Sequence, residues 1–364
     1  MIDQILLLIS ITKAILHCRE KFIQAEAQTC MFNNIHAGLK PFLWKMCTMN
    51  PTLMMWIFAV LILAGIVMNG LESEWENLES ASNSLYADRY RIKRDRSEDV
   101  ELKVQNAYNL WHKCMMHVLE PLLFDSSKLW YALRKTVRKC YGLTPLVAIK
   151  YSNVMNTEDR KFFILSSTNN TAWNVITLGV GRDILAEKKL KRLLPKGSLF
   201  YGADPIYKEN DELYSTVGKF FPIAVGNETV YGEADVLSHG RYRILPVVHL
   251  DIVSFLKKIV KTQFVDLLLM DNEGPEYDII PMMSSGKEFD QNRIVVCQIS
   301  AELHVGRKHL GKNQRFAPLI REILRDRRFA LLTDVGFTHH RTFLINFANK
   351  NCVEKYIAQF FKSR

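Results

Sequence analysis

The sequence predicts an α/β protein: a mostly parallel sheet covered by helices on both faces and finished by an antiparallel pair, preceded by a helical cap and one transmembrane helix. Three observations carry this prediction. Beyond about residue 146, short β-branched or aromatic runs alternate with helical stretches. Those runs lack strict apolar/polar alternation, as strands buried on both faces of a parallel sheet do. Nearer the N-terminus, Leu53 to Met68 (LMMWIFAVLILAGIVM) is apolar throughout, and no charged residue falls between Lys45 and Glu72.

That apolar run has about the minimum length that spans a hydrocarbon core of roughly 30 Å. Lys40 and Lys45 precede it, whereas Glu72, Glu74, Glu76 and Glu79 follow, and lysines mark the cytosolic side. The chain therefore divides into a cytosolic segment 1–52, a signal anchor 53–71 in the lipid bilayer, a lumenal stem and helical cap 72–145, and an α/β domain 146–364. This is the layout of a single-pass type II membrane protein of the Golgi or endoplasmic reticulum. Two sequons, at Asn169 and Asn227, agree with a lumenal location. Four of the seven cysteines lie beyond the anchor, and Cys114 and Cys140, in adjacent helix-like stretches, are expected to form a disulfide in an oxidising compartment.

The elements follow in order. Residues 101–140 carry apolar groups at helical spacing, among them Leu110, Cys114, Val118 and Leu122. Strands are predicted at Asn174 to Leu178, Leu199 to Ala203, Phe220 to Val225, Val265 to Met270 and Arg293 to Ile299. A helix from Arg182 to Leu194 is stopped by Pro195 and Gly197, and another runs from Asp251 to Lys261. Gly232, Gly240 and Pro246 break the rhythm between Val230 and Val248 and predict a hairpin. A helix at Ala317 to Arg327 then leads to an antiparallel pair, Phe329 to Val335 and Thr342 to Phe347.

The formal net charge of +10 favours anionic partners such as lipid headgroups or acidic glycans. No block of five or six like charges marks a nucleic-acid arm, so no nucleic acid is expected as a partner.

Candidate chemistry gathers where strands end. After the first strand, Gly179 and Gly181 let backbone approach a ligand, and the following helix start offers unpaired N–H groups to an anion. A lone G-x-G serves equally as a tight turn. The second strand ends in Asp204, placed to accept hydrogen bonds from ribose hydroxyls or, alternatively, to cap the turn before Pro205. The fourth strand ends in Asp271, Glu273 and Glu276, at the sheet edge where open α/β sheets bind ligands. These acids suit orienting a hydroxyl, taking its proton or holding a metal through oxygen ligands; Asp271 and Glu273 also suit helix caps. His304, just past the fifth strand, is a further candidate base. His339 and His340 fall in the final turn, where a surface role is expected.

The stretch Leu268 to Glu276 (LLMDNEGPE), preceded by Leu250 to Leu256 (LDIVSFL), resembles the paired signature of FkbM-type methyltransferases, and Pro222 to Gly226 resembles that family's third strand. The similarity runs from about 146 to 350 and is nearest to membrane-anchored nematode members. It implies a Rossmann-like, seven-stranded methyltransferase sheet and methyl transfer from S-adenosyl-L-methionine to a hydroxyl-bearing acceptor, such as a glycan. By position it implies Gly179, Gly181, Asp204 and Asp271 as cofactor-binding, with Asp271 beside the reacting methyl. For the removal of the acceptor's proton the residues themselves offer Asp271, Glu273 and His304 as catalytic candidates, and no metal is expected. Two departures stand out. The family's first strand ends in an acid, where this chain has Thr177-Leu178, and its fourth often carries a Lys two positions before the Asp, where this chain has Leu269.

Two other classes share parts of this layout. A Golgi glycosyltransferase has the same anchor, stem and α/β domain, but no Asp-x-Asp follows a strand here to hold a metal–nucleotide. A non-catalytic lumenal binding protein retaining the fold is compatible with the two departures. The basic positions Arg307, Lys308, Lys312 and Arg315 suit either an embrace of an anionic acceptor or a solvated loop.

Overall fold

A computed structural model describes residues 100–362, apart from 167–170, 239–240, 306–313 and 337. The chain opens with two helices, α1 (Val100–Leu119) and α2 (Ser126–Leu143). Asp125 caps α2 by accepting from the Ser127 and Lys128 N–H groups. The predicted Cys114–Cys140 disulfide clips the two helices together through their buried faces. A short hairpin follows, β1 (Ser152–Met155) and β2 (Arg160–Phe163), in a stretch where no strand was predicted.

The α/β rhythm then begins: β3 (Asn174–Leu178), α3 (Leu185–Leu193), β4 (Leu199–Ala203), α4 (Asn210–Ser215) and β5 (Lys219–Phe221). Three strands, β6 (Ala224–Gly226), β7 (Val230–Ser238) and β8 (Arg241–Asp251), form a small separate sheet in which β7 and β8 make the expected hairpin. Helical turns at 252–260 lead to β9 (Phe264–Met270), and α5 (Glu276–Ile279) follows it. The chain continues with β10 (Val295–Leu303), α6 (Phe316–Asp326), β11 (Phe329–Val335) and β12 (His340–Asn346).

Seven of the described strands make the main sheet, in the order β11-β12-β10-β9-β3-β4-β5. The pairs β10–β9, β9–β3, β3–β4 and β4–β5 are parallel, and β12 alone runs antiparallel to both neighbours. The central strands are buried almost throughout, Val265 to Met270 among them, which explains their unbroken apolar sequence. A second disulfide, Cys297–Cys352, fastens β10 to the C-terminal helical segment, where Lys355 and Tyr356 grip the buried Asp266 of β9.

Several expectations need correcting. Among the described residues no helix is long and apolar enough to cross a membrane, which overturns the assignment of a transmembrane helix and of a single-pass membrane protein. The run Leu53 to Met68 on which that assignment rested, and the segments 1–52 and 72–99, lie outside the described residues. The predicted strand Phe220 to Val225 is two strands in different sheets, because Pro222 cannot donate to a ladder and interrupts it. The fifth strand starts at Val295 rather than Arg293, whose φ of 56° ends the preceding helical turn in the left-handed region. Helix α3 starts three residues late for a similar reason: Arg182 has φ 65°, and the Asp183 carboxylate accepts from the Leu185 N–H.

Candidate active site

The carboxyl ends of β3, β4, β9 and β10 open into one cavity of about 770 Å³, within the range of small-molecule sites. Gly179, Gly181, Asp204, Asp271, Glu273 and His304 all line it. Residues far apart in sequence, Gly179 and Asp271 among them, meet there because the parallel sheet stacks its strand ends on one edge.

The β3–β4 side is built from peptide groups. Gly179 (φ +82°) and Gly181 (φ +59°) turn the chain sharply. A Cβ on residue 179 would lie against the Asp271 carbonyl oxygen, so only glycine lets β3 and β9 end this close together. Asp204, buried, accepts from the backbone N–H groups of Val180 (2.9 Å), Gly181 (3.1 Å) and Ile206 (2.8 Å). Burial nevertheless raises its pKa above the ordinary value, against the opposing pull of those N–H groups. The turn thus has its shape fixed before any ligand arrives. Thr177, at the strand end where the resemblance expects an acid, pairs with a carboxylate supplied by α3: its hydroxyl donates to Glu187 (3.1 Å) and accepts from Tyr214 (3.0 Å). Burial pushes Glu187 up to about 7.

The β9–β10 side is built from charges. Lys161 of β2, buried, stands 2.9 Å from Asp271 and 2.5 Å from Asp159. Burial opposes its charge, but the two carboxylates overcome this and hold it above the ordinary lysine range. Asp271 also meets His304 Nε2 at 3.4 Å. Burial would raise the Asp271 pKa, yet Lys161 and His304 hold it well below the usual carboxylate range. His304 is surrounded by acids: its Nδ1 lies 3.0 Å from Glu276 and its Nε2 3.6 Å from Glu273. Burial would lower its pKa, but hydrogen bonds to Asp271 and Glu276 and the charge of Glu273 push it up to about 11. Near neutral pH, therefore, Asp271 is a carboxylate and His304 an imidazolium, and neither is a base of useful strength.

Two further groups complete this wall. Glu302, one turn of the pleat before His304 on β10, pairs with Arg341 (3.0 Å). Burial, with the nearby charge of Asp271, pushes it up to about 7. His339 lines the cavity with its ring 4.8 Å from that of His304, and burial with the charges of His304 and Arg341 pushes it down to about 4. The surface role expected for the His339–His340 pair is thus corrected: His340 is buried and bonded to Asp334 at 2.6 Å. Three overlapping triads, Asp271–Glu273–His304, Glu302–His304–His339 and Asp159–Asp271–Glu302, each place their ligand-type atoms within 4.8 Å of one another. Lys161, protonated His304 and Arg341 already set cations among these carboxylates.

Sequence reasoning missed Lys161, which supplies from β2 the cation that the resemblance expected two positions before Asp271. Its hairpin shows three consecutive buried residues rather than alternation, so nothing in the pattern marked it. Among the basic positions proposed for an acceptor, Arg307, Lys308 and Lys312 lie outside the described residues, and Arg315 pairs with Asp278 and covers the Tyr277 ring.

The chemistry of the lining fits S-adenosylmethionine. The fixed glycine turn admits backbone contact with a ligand, Ala224 and Val225 offer an apolar wall, and the buried Oδ1 of Asn272 has no donor among the described residues and awaits one. The chain is 22% identical over 280 residues to the uncharacterized protein C28H8.7 of Caenorhabditis elegans, spanning 76% of this chain and 89% of that one. Among solved structures it is similar to a METTL16 MTase domain (17% identity, TM-score 0.32, 50% of this chain and 62% of that one). It is similar also to the human methyltransferase 10 domain containing protein (15% identity, TM-score 0.30, 50% and 75%). The family model of the methyltransferase FkbM domain matches residues 134–331, more than half of the chain, and includes the carboxyl ends of β3, β4, β9 and β10 but not His339 and Arg341. This chain belongs to the FkbM family of S-adenosylmethionine-dependent methyltransferases.

Proposed function

We propose that the protein transfers a methyl group from S-adenosylmethionine to a hydroxyl of a small polar acceptor such as a glycan, in an oxidising compartment suited to its two disulfides. The observation that carries this reading is the polar, charge-lined cavity at the sheet edge, with a preshaped glycine turn on one side and an acid–histidine cluster on the other. The cofactor brings an already activated methyl group, so the protein's task is to hold the acceptor oxygen in line and to remove its proton. Gly179 and Gly181 receive the cofactor on backbone, and Asp204 braces that turn while offering its remaining lone pair to the ribose. Asp271, held ionised, accepts a hydrogen bond from the acceptor hydroxyl and fixes its direction. His304 donates to Asp271, with Glu273 and Glu276 keeping it protonated. As the methyl is transferred the proton leaves along that hydrogen bond to Asp271 and is passed on to Glu302, whose carboxylate lies within 4.8 Å of it and is poised near neutrality.

Calorimetric titration of the full-length protein with S-adenosylhomocysteine tests the reading. Wild type should bind at micromolar concentration, and Gly179→Val, whose side chain has no space beside Asp271, should bind at least about a hundredfold more weakly. No binding by wild type at millimolar concentration would overturn it in favour of a non-catalytic binding protein.

A further inference from the structure

A second cavity, of about 820 Å³, borders the β1–β2 hairpin at Met155 and Arg160 and shares Glu158, Asp159 and Arg341 with the first. Four arginines line it: Arg134 and Arg138 from α2, Arg160 from β2 and Arg341 from β12. Its carboxylates do not cancel them. Asp159 is paired with Lys161 and Asp334 with His340, while Arg341 is taken by Glu302. Arg134 donates to the Gly336 carbonyl at 3.2 Å, and its charge acts on Asp334. Arg138 and Arg160 have Glu158 as the remaining acid of the cavity, and no side-chain hydrogen bond or ion pair holds either of them among the described residues. Like charges gathered in one concavity repel one another and are relieved by an anion; guanidinium forks match the paired oxygens of carboxylate, sulfate and phosphate. Beside them, Tyr141 and Tyr151 meet edge to face at 5.6 Å and line the same cavity, presenting ring surface on which a sugar can rest.

We propose that this cavity is an acceptor subsite for an oxyanion-bearing sugar, a uronate or a sulfated or phosphorylated residue. Arg138 and Arg160 clasp the anionic group, and the sugar's free hydroxyls lie toward the wall shared with the cofactor cavity. The proposal rests on the methyl-transfer reading for its purpose and gives that reading a substrate class. It also gives the basic surface of the chain a local function.

Full-length protein is titrated by saturation-transfer NMR with glucuronate, glucose 6-sulfate, glucose 6-phosphate, neutral methyl glucoside, inorganic phosphate and phosphatidylserine vesicles. The same series is run on Arg138→Gln/Arg160→Gln, both exposed side chains. The charged sugars should bind wild type at least about tenfold more tightly than methyl glucoside, and the double variant should lose about tenfold for them alone. The preferred charged sugar identifies the anion. Equal binding of methyl glucoside, inorganic phosphate binding as tightly as the sugars, stronger capture by vesicles, or an unaffected double variant would each overturn the proposal. S-adenosylhomocysteine affinity, measured alongside, should be the same in both proteins. Its absence in wild type with the sugar result intact removes the methyl-transfer reading and leaves the anion site standing.

Discussion

On the β3–β4 side of the cavity the groups that shape the site are peptide N–H and C=O, with one carboxylate, Asp204, tying them together. On the β9–β10 side the shape comes from side-chain charges that arrive from β2, β9, β10, β12 and the loops between them. The first side has to recognise a ligand whose form never varies, and backbone geometry set by two glycines is enough. The second has to meet an acceptor and move a proton. It uses groups whose protonation depends on their neighbours, so each charge there is a setting for the next.

The sharpest way to break this comparison is to remove Lys161. Lys161→Met leaves the buried Asp159 and the partly buried Asp271 without their shared cation and should cost about 3–5 kcal/mol in denaturant unfolding. Lys161→Met/Asp159→Asn should recover part of that loss. A single variant as stable as wild type would show that the charged side is not held by this pair. Next in size, Asp204→Ala removes the acceptor for three backbone N–H groups and should cost about 1.5–3 kcal/mol. The same change should weaken S-adenosylhomocysteine by about tenfold in calorimetry. Unchanged affinity would mean that the turn keeps its shape on glycine alone.

A third test sharpens the contrast through pH. His304 has its folded pKa raised from 6.5 to about 11, so its contribution to stability is complete below 6.5 and is lost as pH rises toward 11. Glu302 is raised from 4.5 to about 7, so its contribution is complete below 4.5 and declines up to 7. Both trends run the same way, and the melting temperature should fall as the buffer is made alkaline. His304→Gln should flatten the decline between 6.5 and 11, and Glu302→Gln that between 4.5 and 7. Scanning calorimetry across pH checks both, and slopes identical to wild type would deny these groups their shifted values.

The comparison also explains what could be read in the sequence. β3, β4 and β11 fall at their predicted residues because continuous apolar runs bounded by Gly, Asp or Pro admit few alternatives. The backbone-built side was legible for the same reason: glycines and an acid at strand ends are local signals. The charged side was half legible. Asp271, Glu273 and His304 stand at strand ends, but Lys161 enters from a hairpin more than a hundred positions away, and its partnership with Asp271 exists only after folding. Glu302 looked like one more strand residue because what sets it apart, burial beside Asp271, is a property of the site and not of the strand. The Cys297–Cys352 bridge escaped for a like cause, its halves being separated by 55 positions.

That bridge bears on how the protein is made. The buried Asp266 at the middle of the sheet accepts from the Asn174 N–H and, almost two hundred positions later, from Lys355 and Tyr356. The central strand therefore has a carboxylate without most of its donors until the segment around residue 355 has docked. The sheet closes as a unit, and Cys352 meets Cys297 only when it does. A chain cut ahead of Lys355 would leave the entire cavity encoded and yet unclasped, a substrate for quality control rather than a shortened enzyme.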